Sequence, residues 1–90
     1  MRSLRHSRQF VRDLERVKRS GQCTLDEIGR VIALLRDDVT FPPRMRDHPL
    51  KGEWAPSRDC HIRPDVVLIY SKVRGELQLR RVGSHSQLFG

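Results

Sequence analysis

The chain has 90 residues, with 18 Lys and Arg against 11 Asp and Glu, a formal charge of +7 and an isoelectric point near 10.7. That length holds one domain, residues 1–90, whose small core a partner or oligomer would help to stabilise. The arginine-dominated charge favours polyanionic partners, nucleic acid first, while no stretch nears the roughly 18 apolar residues of a membrane span.

The basic start from Met1 to Arg8 lacks the apolar segment of a secretory signal, so the expected location is the cytoplasm. Arg2 to Arg5 reads as a short first strand, and Ser7 to Arg19 as a helix. Phe10, Leu14 and Val17, joined by Val11, fall on one face of that helix at spacings of three and four. Arg8, Arg12, Arg16 and Arg19 recur on the opposite face, either along a nucleic-acid backbone or as the charge any exposed helix face carries. Ser20-Gly21 ends it, since glycine takes the left-handed conformation past a helix C-terminus.

Thr24-Leu25-Asp26-Glu27 opens a second helix with a capping box. Leu25, Ile28, Ile32 and Leu35 form its apolar stripe, widened by Val31 and Leu34, and Asp37-Asp38 with Pro42-Pro43 stop it. The short joining turn makes the two helices an antiparallel hairpin. From Val39 to Pro56 the chain has no period; Leu50 and Trp54 predict a loop pinned to the body, with Trp54 in packing rather than stacked on a base. Cys23 and Cys60 are expected to be free thiols, and no close Cys/His pair has the spacing of a zinc site.

Arg58 to Tyr70 is the stretch around which the chain is organised. Its second half is an unbroken apolar run, the pattern of a strand in the middle of a sheet, and Arg63-Pro64 reads as the turn before it. Asp59, His61 and Asp65 lie beside the run. They fit a catalytic site on a rigid strand, or a hairpin with polar surface residues. Arg74-Gly75 is a turn, Glu76 to Val82 a last strand, and the ending Leu88-Phe89-Gly90 marks a docked tail with a single helical turn.

His48, Asp59, His61, Asp65 and His85 supply groups that can move protons at neutral pH. Cleaving RNA without a metal needs a base for the 2′-OH, an acid for the leaving 5′-oxygen and positive charge for the phosphorane. Histidines can take the first two roles and arginines the third.

Residues 47–90 closely resemble YafQ-type toxins of bacterial toxin–antitoxin modules, within the RelE/ParE superfamily. The resemblance lies in Asp47-His48-Pro49-Leu50-Lys51-Gly52, Trp54, Arg58-Asp59-Cys60-His61-Ile62-Arg63-Pro64-Asp65, Leu68-Ile69-Tyr70 and Gly83-Ser84-His85-Ser86-Gln87-Leu88-Phe89-Gly90. The N-terminal half is similar only in its pattern of strand and helical hairpin. The resemblance implies a RelE-like α+β domain, with the strand and hairpin packed on a twisted, mostly antiparallel sheet. It implies an endoribonuclease that cuts messenger RNA on the ribosome without metal or other cofactor. The implied partners are ribosome-bound message and a cognate antitoxin whose acidic segment covers the basic site and which often also acts as a DNA-binding repressor.

The family's active-site positions map to His48, His61, Asp65, His85 and Phe89, with Asp59 supporting. Lys51, Arg58, Arg63, Arg80 and Arg81 are the candidate RNA contacts; of Arg80 and Arg81, adjacent on a strand, at most one should reach the site. His85 is expected to be the general acid, His48 or Asp65 the base, His61 and Asp59 groups that orient the site or contact the phosphate, and Phe89 a packing or stacking residue. Val66 stands where the family often has Trp, which puts base preference in doubt. The rival readings are a non-enzymatic RNA- or ribosome-binding module, a gyrase-poisoning toxin on the same scaffold, and an RNase acting on free RNA.

Overall fold

A computed structural model describes residues 2–90. The chain runs β1 (Ser3–His6), α1 (Arg8–Ser20), α2 (Leu25–Arg36), β2 (His48–Pro49), β3 (Arg58–Arg63), β4 (Val66–Val73), β5 (Glu76–Gly83) and α3 (His85–Phe89). Short 3-10 turns at Pro43–Met45 and Gly52–Trp54 shape the loop that lacked a sequence period. The strands form one sheet in the order β1-β5-β4-β3-β2, antiparallel throughout except for the β1–β5 pair. The apolar run is therefore the central strand, β4, as expected of a segment buried on both faces.

Local chemistry sets the element ends. Ser7 caps α1 by accepting from Phe10 N–H, and Gly21 closes it in the left-handed conformation at φ 70°. Thr24 and Glu27 form the reciprocal capping box of α2. Ser84 and Gln87 form another at α3, the helical turn foreseen for the tail.

The hairpin lies on one sheet face, α1 against β5 and α2 against β3. Phe10, Val17, Ile28, Val31 and Leu35 meet Leu68, Tyr70, Leu77, Leu79 and Val82 there. Two expectations are corrected. Leu25 is nearly half exposed and Val31, not Ile32, is central to the α2 stripe. Arg16 does not face solvent with its neighbours: it reaches the Val82 carbonyl at 3.1 Å and Asp13 at 3.0 Å. Asp13 lies among the buried residues of α1, between Phe10 and Val17.

The opposite face carries a second apolar cluster, in which Val67 and Ile69 of β4 are covered by Leu88 of α3, Leu50 and Trp54. This docks the tail. Gly83 permits the bend: a Cβ there would stand 2.6 Å from Arg16 Nη2 and 2.9 Å from Gln87 Oε1. No helix among the described residues is long and apolar enough to cross a membrane.

Candidate active site

β3 is the platform of the site. Its residues alternate across the sheet, so Cys60 enters the helix-side core while Asp59 and His61 face the side covered by α3. Strand β2 is only two residues long, and it pairs His48 with Asp59 across the ladder, placing His48 Nδ1 3.1 Å from Asp59 Oδ1. His48 Nδ1 also lies 2.6 Å from the Arg46 carbonyl. That carbonyl can only accept, so Nδ1 carries the hydrogen and Nε2 keeps its lone pair when the ring is neutral.

The turn between β3 and β4 consists of Pro64 and Asp65, one residue later than Arg63-Pro64, with Arg63 paired to Val66 across it. It sets Asp65 Oδ1 3.2 Å from His85 Nδ1 and 3.4 Å from His85 N–H. These hydrogen bonds from His85 hold the Asp65 carboxyl below its ordinary range, so it stays ionised and fixes the His85 tautomer. His85 and His61 have ring centroids 5.1 Å apart, and His85 and Phe89, four residues apart on one face of α3, 6.2 Å apart. Phe89 meets the edge of Trp54 at 5.8 Å. Trp54 thus packs on the Val67–Ile69–Leu88 cluster, as expected, and also borders the site.

Asp59 is buried, and desolvation pushes its carboxyl up against the pull of His48, His61 and His85. Among the described residues its Oδ1 accepts no hydrogen bond; the 3.1 Å approach to His48, whose Nδ1–H is directed at Arg46, is a charge contact only when that ring is protonated. His61 is lowered, first by desolvation and then by the neighbouring His85, with Arg46 adding to the effect. The expected result in an NMR titration is a His61 pKa below the ordinary 6.5. Because folding then disfavours the charged ring, its contribution to stability is intact above pH 6.5 and is lost as the pH falls through the folded pKa. A His61 titrating at or above 6.5 would contradict this.

The loop carrying His48 is clamped from below. Asp47 Oδ1 accepts from the buried Tyr70 hydroxyl at 2.6 Å and from Arg58 Nε at 3.2 Å. Tyr70→Phe is expected to cost about 1.5–3 kcal/mol in urea unfolding, as a hydrogen bond to a charged group is removed.

The candidate RNA contacts divide. Arg58 pairs with Asp47, Arg63 with both oxygens of Glu27, and Arg81 Nε with Asp13 at 2.7 Å in the helix layer. Arg80, the extra residue of a β-bulge opposite β4, sends Nη1 to the Ser57 hydroxyl at 2.9 Å. Lys51 is exposed. Unassigned by the sequence reading were Arg46, which holds His48 through its carbonyl, and the Asp47–Tyr70 clamp. Asp13 was also missed, though its helical spacing from Phe10 and Val17 put it on the buried face. Cys23 and Cys60 are buried free thiols, and burial pushes both upward.

Comparisons to known proteins identify the family and the fold. A family model described as the bacterial toxin of type II toxin–antitoxin systems, YafQ, matches residues 2–90. The chain belongs to the YafQ family. It is 31% identical to the mRNA interferase toxin YafQ of Escherichia coli K12, an alignment spanning 99% of this chain and 97% of that one. Its fold superposes on the toxin in a crystal structure of the E. coli DinJ–YafQ complex with a TM-score of 0.86, at 31% identity and full coverage of both chains. A copper-bound mutant toxin from Helicobacter pylori gives 0.92 at 40% identity, covering 99% of this chain and all of that one. Among the described residues of this chain, no group of three or more His, Cys, Asp or Glu side chains is arranged to hold a metal ion. The expected RelE-like α+β architecture is thereby established, for this chain as for its relatives.

Proposed function

We propose that this YafQ-family toxin is a ribosome-dependent endoribonuclease that cuts messenger RNA by acid–base chemistry and is silenced by a cognate antitoxin. The observation that carries the reading is the joining of His48, Asp59, His61, Asp65 and His85 on one sheet face, from a loop, a strand, a turn and the tail. His85 donates the proton to the leaving 5′-oxygen through Nε2, while its Nδ1–H stays on Asp65. His48 Nε2 takes the proton of the attacking 2′-OH. Asp65 is the poorer base of the two candidates, since His85 holds its carboxyl low. The 2′-oxygen then bonds to phosphorus, the bond to the 5′-oxygen breaks, and a 2′,3′-cyclic end remains.

His61 and Asp59 orient the histidines, and Phe89 with Trp54 offers a surface on which a base can stack. The related E. coli toxin is named an mRNA interferase and has been crystallised with DinJ. A charge of +7 suits both ribosomal RNA and the acidic segment of an antitoxin in the cytoplasm. The test is inducible expression in bacteria followed by 5′-end mapping of cellular messages. New message ends in register with the reading frame are the expected result. Growth arrest without new ends, or with DNA damage signalling instead, would overturn the reading.

A further inference from the structure

An open groove of about 700 Å³ runs beside the histidine cluster, between α2, the Pro43–Met45 turn and β3. Its floor is aliphatic, with Met45 and Ile62, and its rim is cationic, with Arg30, Arg44 and Arg46; His61 forms the wall it shares with the cluster. We propose that this groove holds the RNA segment flanking the scissile bond, Arg44 and Arg46 gripping its phosphates, an assignment that rests on the endoribonuclease reading.

Three observations carry the proposal. The first is that the positive charge in the groove is uncommitted. Among the described residues Arg30, Arg44 and Arg46 have no carboxylate within salt-bridge reach, whereas Arg58, Arg63 and Arg81 are each spent on one. Glu27, the groove's carboxylate, is held down to about 2 by Arg63, so it cancels that arginine alone. The second is continuity. Trp54, Phe89, His85 and His61 follow one another at ring separations of 5.8, 6.2 and 5.1 Å, and His61 also lines the groove, whose floor of Met45 and Ile62 lies round the β3 edge on the helix side of the sheet. A strand cleaved at the histidines must leave the site on both sides. It finds aromatic rings for bases on one side and free guanidinium groups for phosphates on the other.

The third is the backbone of Arg46. A non-glycine residue rarely adopts the left-handed conformation, yet Arg46 does, at φ 48° and ψ 42°. That conformation belongs to the same residue whose carbonyl meets His48 and whose side chain lines the groove beside His61. Arg46 thus connects the proposed base to the strand it acts on.

The test is fluorescence anisotropy of a short, uniformly 2′-O-methylated RNA, which binds without being cut, over a range of salt concentrations. The double variant Arg44→Ala/Arg46→Asn removes both charges; asparagine tolerates the left-handed backbone and keeps the carbonyl for His48. For a single strand, each phosphate that is no longer neutralised lowers the slope of log affinity against log salt by about 0.7. The double variant should therefore fall by about 1.4 in slope, or roughly 25-fold in affinity near 0.1 M salt with the lines meeting near 1 M. Arg46→Asn alone should fall by about half as much in slope, a check independent of the double variant's folding.

Lys18→Ala/Arg19→Ala removes the same charge from the exposed end of α1 and should leave the slope unchanged. An equal fall in that control, an unchanged slope in the groove variants, or no wild-type binding at low salt would overturn the proposal. An unchanged RNA slope combined with abolished binding of an acidic, leucine-containing helical peptide would assign the groove to a protein segment instead. His85→Ala, assayed in parallel on cleavable message, reports on the endoribonuclease reading separately, since a failed groove leaves that variant's loss of cleavage intact.

Discussion

His85→Ala is expected to lower message cleavage by about 100- to 10,000-fold, the usual contribution of a positioned general acid. Thermal stability should barely change, because the side chain is about half exposed and its one polar partner, Asp65, is itself largely in solvent. Binding of the uncleavable RNA should also persist, since the free arginines of the groove remain. This separation of chemistry from affinity distinguishes an enzyme from a basic binding module, which has no cleavage to lose. Asp65→Ala should cost less than His85→Ala, because the ring keeps its proton and loses only the partner that fixes its tautomer and orientation. Purified His85→Ala cutting ribosome-bound message at the wild-type rate would remove His85 from the mechanism.

The sequence showed the central strand plainly, because burial on both faces leaves Val66 to Tyr70 no polar position. It showed the helix starts as plainly, since Ser7 and Thr24 are local caps whose partners lie three residues away. The site was legible only as residue types with a familiar spacing. What gathers them is non-local: a two-residue strand too short to have a period, a tail held by Leu88, and a carbonyl of Arg46 that no side-chain pattern encodes. Charge misled in the same way. Arg63 and Arg81 look like solvent-facing cations, and their carboxylate partners are 36 and 68 residues away in the chain. A sequence reading counts such charges as available to a ligand; the fold has already neutralised them, while among the described residues Arg30, Arg44 and Arg46 of the groove, like Arg8, Arg12 and Arg19 of α1, have no carboxylate partner.

Asp13→Ala is expected to be the most destabilising of these substitutions, at about 3–5 kcal/mol, the usual cost of removing one partner from a buried ion pair. The carboxylate is 2% exposed and is held by Arg81 Nε and Nη2 at 2.7 and 3.1 Å, Arg16 Nη2 at 3.0 Å and the Val82 N–H at 3.1 Å. Without it two guanidinium groups and a backbone donor lose their acceptor beneath α1, and Arg16 Nε already lacks one. A domain of this size has roughly 5–13 kcal/mol in total, so the loss takes a large share of its stability and, at the low end of that range, brings the variant near half unfolding. Urea unfolding measures the difference; a value below about 1 kcal/mol would mean that water replaces the carboxylate and that the pair is not truly buried. Asp13→Leu/Arg81→Met should recover only part of the stability, because it removes the Arg81 guanidinium but leaves Arg16 and the buried Val82 N–H without their acceptor. Activity need not return with it. Asp13 anchors Val82, the residue before Gly83, where the chain bends into the helix bearing His85. The repaired core should therefore fold and still cleave more slowly than the wild type.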